Sequence, residues 1–161
     1  INRIPSKSIS QSLSHIGIGL LIIGATGSSL LKEEKIQFQE IDKNIQINKF
    51  DVQFKGVEII EGPNYLSQTG VFDVFQDDTF ITRMKPEKRF YNIGQQVTTE
   101  AAIYSTTLGD LYIAIGDKNK SDSSVSWTTR IWFNPYTIWI WIGVLFLVVG
   151  GCISFFRVIT I

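Results

Sequence analysis

The sequence predicts a membrane α plus all-β protein: two transmembrane helices flanking a small extramembrane β barrel or sandwich. Three observations lead there. Residues 13–31 (LSHIGIGLLIIGATGSSLL) carry no acidic, lysine or arginine side chain. Residues 136–156 (YTIWIWIGVLFLVVGGCISFF) carry none either. Each run approaches the roughly 20 apolar residues that a helix needs to cross a hydrocarbon core. The stretch between them alternates apolar and polar side chains in short runs broken by turn signals, which is the period of strands.

Taken in order, residues 1–10 form an N-terminal segment and residues 11–31 the first helix. Gly24 and Ser28 stand four apart, as do Ala25 and Ser29, a spacing that lets helix backbones approach closely in lipid. Two helices cannot surround one another, so partner helices from another chain are expected. The run is not a cleaved signal peptide: its apolar part is too long, and no cleavage site precedes the charged KEEK at 32–35.

The β domain spans residues 32–133. Ile36–Gln39, Ile45–Lys49 and Phe50–Phe54 alternate, and the apolar phase slips by one at Asn48-Lys49. Such a slip flips the buried face and requires a turn or a bulge there. Further strands are predicted over 57–60, 70–75, 79–83, 110–116 and 125–132. Turns are predicted at Gly62-Pro63-Asn64, Asp77-Asp78 and 117–120. The second helix covers 134–156. Asn134-Pro135 ends the last strand and opens the helix, with the proline near its first turn. Trp132, Tyr136, Trp139 and Trp141 cluster as aromatics do at a membrane interface. Residues 157–161 form a C-terminal tail.

Two helices put both termini on one side. Arg3, Lys7 and Arg157 give the ends +3, while residues 32–131 carry 12 basic against 15 acidic residues. Positive ends point to the cytoplasmic or matrix side, so the β domain is expected in the periplasm or intermembrane space. The whole chain balances 15 basic against 15 acidic residues at 19% charged, which argues against a nucleic-acid partner.

Composition also excludes chemistry. A single cysteine, Cys152, excludes a disulfide framework, a C-x-x-C pair and a cysteine-based zinc site. It is read as an inert side chain facing lipid or a helix. A single histidine, His15, excludes any site built from two histidines of this chain. No nucleophile–base pair is available, because that histidine lies in a membrane run. Glycines 17, 19 and 24 lie inside the same run and form no phosphate loop. Asn119-Lys120-Ser121 matches a glycosylation sequon, a pattern short enough to arise by chance.

His15 is the sharpest candidate. A metal-binding side chain within a membrane span is costly and faces a partner or a cofactor. It shares a helical face with Gly19, where no side chain blocks a flat ligand. Imidazole serves as an axial ligand of haem iron. The alternative is a histidine hydrogen-bonded to a neighbouring helix or placed at the interface. Residues 85–91 (KPEKRFY) set three cations beside two aromatics. They read either as a contact for haem propionates or as a solvated loop. Glu33-Glu34, Asp77-Asp78 and Glu58 with Glu61 read as solvated acids beside strand ends.

Six motifs then occur in order: SHIGIGLLIIG (14–24), EGPNY (61–65), PEKRFY (86–91), TTEAAI (98–103), GDLYIAIGD (109–117) and NPYTIWIWIG (134–143). Together they resemble the C-terminal part of CcmF, the large membrane subunit of the cytochrome c haem lyase, over residues 14 to 156. The resemblance implies that His15, in the family's A/S-H-L/I-G motif, is an axial ligand of a membrane-embedded b-type haem. It implies a complex that takes haem from a haem chaperone and attaches it to apocytochrome c through thioethers. The b haem would keep the incoming iron reduced.

The family's tryptophan-rich WWD segment, its flanking histidines and its second membrane histidine have no counterpart here. The resemblance therefore implies a split C-terminal subunit, without a complete active site of its own. It would share haem b with the remaining CcmF chains, in the mitochondrial inner membrane or a bacterial inner membrane. Ile1 in place of Met, and richness in Ile, Lys, Asn and Phe, fit an organelle-encoded split form, while a fragment of a longer chain equally explains Ile1. The competing expectations are a haem-free structural membrane subunit of a larger respiratory or biogenesis assembly, and a two-pass receptor-like protein whose β domain binds a ligand.

Overall fold

The computed structural model describes residues 6–119 and 125–159. Arg3, and Lys120 and Ser121 of the sequon, lie outside the described residues, as do residues 160–161 of the tail. Two apolar helices, α1 (Ser6–Leu30) and α2 (Thr137–Ile159), flank ten strands in sequence. The chain divides into two compact units. One holds both helices and the turn Thr106–Gly109; the other holds the remaining strand residues.

The β unit is a sandwich. Its strands are β1 (Glu33–Glu40), β2 (Asn44–Ile47), β3 (Phe50–Glu61), β4 (Tyr65–Gln76), β5 (Thr79–Met84), β6 (Glu87–Tyr91), β7 (Val97–Glu100), β8 (Ala102–Thr106), β9 (Gly109–Lys118) and β10 (Ser126–Pro135). One sheet runs β1-β10-β9-β8, and the other runs β2-β3-β4-β6-β7 with β5 paired to β4. Period-2 alternation decides what lies between them. Ile45, Ile47, Phe50, Val52, Phe54, Phe72 and Val74 from the second sheet meet Leu111, Ile113, Ile115, Ile131 and Phe133 from the first. Phe54 and Phe72 pack ring to ring at 4.9 Å.

The phase slip at Asn48-Lys49 is a two-residue hairpin. Ile47 pairs with Phe50, and Asn48 takes a positive φ of 50°. The runs 50–54 and 57–60 form one strand rather than two. The register of β3 shifts between Phe54 and Gly56, where Gly56 has φ 128°. One extra residue is what lets both Phe54 and Val57, three apart, reach the core.

Strands β6, β7 and β8 lie outside the predicted set, and residues 85–91 are mostly β6 rather than a loop. Asn134 and Pro135 stay in β10, and α2 starts only at Thr137. Proline is tolerated here because Pro135 lies beyond Phe133, the last residue that β10 pairs with β1, so its missing N–H costs that ladder nothing. Tyr136 bridges the two elements in the left-handed region, φ 61°, and its N–H donates to Leu108 O at 2.9 Å.

The helical unit is an antiparallel pair closed by small residues. Ser10, Gly17 and Gly24 are spaced by seven on α1; Gly143 and Gly150 repeat that spacing on α2. A Cβ at Gly17 would lie 2.7 Å from Gly143 O, and one at Gly143 2.7 Å from Gly17 O. A Cβ at Gly24 would lie 2.8 Å from Ile140 N. Ser10 Oγ donates to Gly150 O at 2.9 Å. Gly24 therefore packs within this chain. Ser28 Oγ turns back on its own helix, to Ala25 O at 3.2 Å.

Candidate functional site

His15 lies on the exposed side of α1. It precedes Gly17 by two residues, which on an α-helix is about 200° of rotation. Because Gly17 faces α2, His15 faces away from it. Gly19 shares that outward face, and nothing lies within 4 Å of where its Cβ would be. Ile18, Ile22 and Ile23 beside it are exposed as well.

The imidazole has one partner on its own helix, with Nδ1 2.7 Å from Gln11 O. A carbonyl only accepts, so Nδ1 carries the proton and donates. Nε2 then presents its lone pair outward. A ring held at Nδ1–H with Nε2 free is the arrangement in which histidine binds a metal, the hydrogen bond fixing tautomer and orientation. The donor set fits half of a haem site: one nitrogen ligand, and an open strip at Gly19 against which a flat macrocycle can lie. Among the described residues no group of three His, Cys, Asp or Glu side chains gathers to hold a metal ion.

The cations of residues 85–91 are already engaged. Lys85 Nζ meets Glu58 Oε2 at 3.2 Å, Arg89 Nε meets Glu87 Oε2 at 2.7 Å, and Lys88 pairs with Asp117. The Arg89 guanidinium also stacks over Tyr65 at 4.6 Å, and its proton affinity rises through the Glu87 hydrogen bond. Each of the three cations therefore already has an acidic partner within the β unit.

The acids fare similarly. Glu33 accepts from Asn48 N–H at 2.9 Å, and Glu34 pairs with Arg130. Asp77 and Asp78 make the β4–β5 turn. Cys152 is exposed on α2. Sequence reading misses Asp73, an acid on the outer face of β4. Arg83 across the β5 ladder holds its carboxyl below the usual carboxylate range. A groove of about 380 Å³ is lined by Ile36, Ala114, Gly116, Arg130 and Trp132 of the four-stranded sheet together with Thr99 of β7. Its polar lining is Arg130 and the Thr99 and Thr128 hydroxyls, with no histidine, cysteine or carboxylate among the described residues beside them.

A family model described as the CcmF C-terminal beta-sandwich matches residues 30–135. The chain belongs to the CcmF family. The cytochrome c-type biogenesis protein CcmF of Haemophilus influenzae is 33% identical over 97% of this chain and 24% of its own length. The CcmF of Pseudomonas aeruginosa is 31% identical over 89% of this chain and 22% of its own. A solved structure titled "Cytochrome c Heme Lyase CcmF" shares the fold with a TM-score of 0.72 at 11% identity, over 92% of this chain and 24% of that one.

The chain thus spans about a quarter of the length of these relatives, and what it matches is their C-terminal part. The CcmF sandwich corresponds to the β unit described above, and both helices are long and apolar enough to cross a membrane.

Proposed function

We propose that this chain is the C-terminal subunit of a split cytochrome c haem lyase. In this reading it contributes His15 as one axial ligand of a membrane b-type haem. The observation that carries the proposal is the presentation of His15: Nδ1 tied to Gln11 O, Nε2 free, and the ring on the face turned away from α2, beside the bare Gly19. Imidazole ligation and burial are the levers by which a protein sets a haem potential. When bound, the b haem supplies electrons that keep the iron of the transferred haem reduced.

The reading assigns the rest of the lyase to other chains. The second axial histidine and the WWD segment come from the remaining CcmF chains. The haem chaperone delivers haem, and apocytochrome c receives it. The two helices sit in the mitochondrial inner membrane or a bacterial inner membrane. The β domain faces the intermembrane space or periplasm, supported by the +3 charge of the two ends against the net acidic middle. His15 stands 15 positions before Leu30 on α1, about 22 Å along the helix at its ordinary rise. With Leu30 at one boundary of a hydrocarbon core about 30 Å thick, the ligand lies about 8 Å from the other boundary.

A reduced-minus-oxidised spectrum with a pyridine haemochrome assay, on the purified complex containing this chain, tests the reading. The wild-type complex shows a b-type signal, and His15→Ala loses it while the complex still assembles. A b-type signal indifferent to His15→Ala, or no haem at all, overturns the proposal and leaves a haem-free structural membrane subunit.

A further inference from the structure

We infer that Gly143 and Gly150 of α2 are positioning residues for His15: by letting α2 lie flush against α1, they fix the rotation of α1 and so aim the imidazole. The inference rests on the reading of His15 as a haem ligand. Its basis is the spacing of the rungs between the helices.

Along α1 the contacts fall at Ser10, Gly17, Gly24 and Gly27, nearly five turns of the helix. Each meets a different level of α2 or its start. Ser10 Oγ bonds Gly150 O at 2.9 Å, and a Cβ at Gly150 would lie 2.5 Å from Ser14 Oγ and 3.0 Å from Ser10 O. At Gly17 and Gly143 backbone meets backbone, with virtual Cβ distances of 2.7 Å each way. A Cβ at Gly27 would lie 2.6 Å from Tyr136 Cδ2. Contacts at this range have backbone, not flexible side-chain ends, on the receiving side at Gly143. Adding even one methyl there forces the helices apart or turns one about its axis.

A turn of α1 moves His15 more than it moves the stripe. The stripe lies near the contact line, whereas the imidazole stands on the opposite side and projects outward. The Nδ1 bond to Gln11 O fixes the ring to α1, so ring and helix turn together. Nothing else on α1 within hydrogen-bond reach of the ring constrains it, and α2 does not touch it. The azimuth of the ligand is therefore set by the packing of α1 on α2, whose closest approach is at Gly17 and Gly143.

The test uses the complete complex and compares Gly143→Ala, Gly143→Leu, Gly151→Leu and His15→Ala. Gly151 is a neighbouring α2 glycine with nothing within 4 Å of its Cβ position, so it controls for the change of residue type. Haem content per complex, the α-band, the ferric g-values and the midpoint potential are read for each. Gly143→Ala shifts the g-values and potential with the chain retained. Gly143→Leu lowers haem retention by about 10–100-fold, the scale of an outer-shell change. Gly151→Leu matches wild type.

If His15→Ala leaves the b haem intact, the ligand reading itself has failed. If His15→Ala removes the haem while Gly143→Ala keeps wild-type g-values and potential, positioning by Gly143 is overturned. Should Gly143→Leu fail to assemble, Gly143→Ala decides alone.

Discussion

The Arg83 guanidinium holds the Asp73 carboxylate with two parallel bonds, Nε to Oδ1 at 2.6 Å and Nη2 to Oδ2 at 3.0 Å. The two residues are directly opposed on β4 and β5. Asp73 is 10% exposed at its side chain and Arg83 53%. The bidentate geometry is the strong form of a cross-strand ion pair. It also ties the short edge strand β5 to the sheet.

The pair gives a pH dependence. The hydrogen bond from Arg83 lowers the Asp73 pKa in the folded chain. A carboxylate with a depressed folded pKa adds stability that is present above the unfolded value, about 3.9. That stability is lost as pH falls through the lower folded value. Asp73→Asn therefore lowers stability at neutral pH, and the difference from wild type shrinks in acid below about pH 3.9. Denaturant midpoints at both pH values check this. An equal difference at both rules out the ion pair as the cause.

Phe54 is fully buried and stacks on Phe72 across β3 and β4. Phe54→Ala leaves a cavity between the two sheets. The expected loss is about 3–5 kcal/mol, the range for a buried aromatic truncated to alanine. Thermal or denaturant unfolding of the β unit within the intact protein measures it.

Asp77 and Asp78 both take positive φ, 50° and 58°, in a two-residue hairpin between Gln76 and Thr79. Positive φ at both central positions is the type I′ signature, which favours Asn-Gly or Asp-Gly. Asp78→Gly removes a side-chain penalty of up to about 1 kcal/mol and raises the unfolding midpoint. A lowered midpoint contradicts the turn assignment.

Lys88 pairs with Asp117 and sits 5.6 Å from the Phe90 ring centroid. Lys88→Gln is expected to leave the haem content of the complex unchanged and to cost under about 1 kcal/mol, since its partner is exposed. Loss of haem in this variant would restore β6 as a propionate contact.

Much of this was legible in the sequence where one physical signal dominates. Length and lack of charge mark both helices, and strict alternation marks β1, β2 and the start of β3. β6 reads as a loop because its alternation is carried by Lys88 and Phe90 against Glu87, Arg89 and Tyr91, all half-buried. Its ion pairs come from residues distant in sequence, such as Asp117. β7 is short and polar, and in the five-residue β8 the exposed Ile103 between Ala102 and Tyr104 hides the alternation.

His15 stands out because an imidazole in an apolar run is costly. Its direction does not, since the face that meets α2 depends on glycines seven apart. Spacing by four points instead to Gly24 with Ser28 and Ala25 with Ser29. Of these, Gly24 meets α2, and Ser28 bonds its own helix.

The most direct measurement exploits the single histidine of this chain. The complex is assembled with ¹⁵N-histidine in this chain alone, and the ferric haem is probed by pulsed electron–nuclear spectroscopy. The account predicts a strongly coupled ¹⁵N from His15 Nε2 on the haem iron. Only ¹⁴N couplings, identical to those of the unlabelled complex, would contradict it.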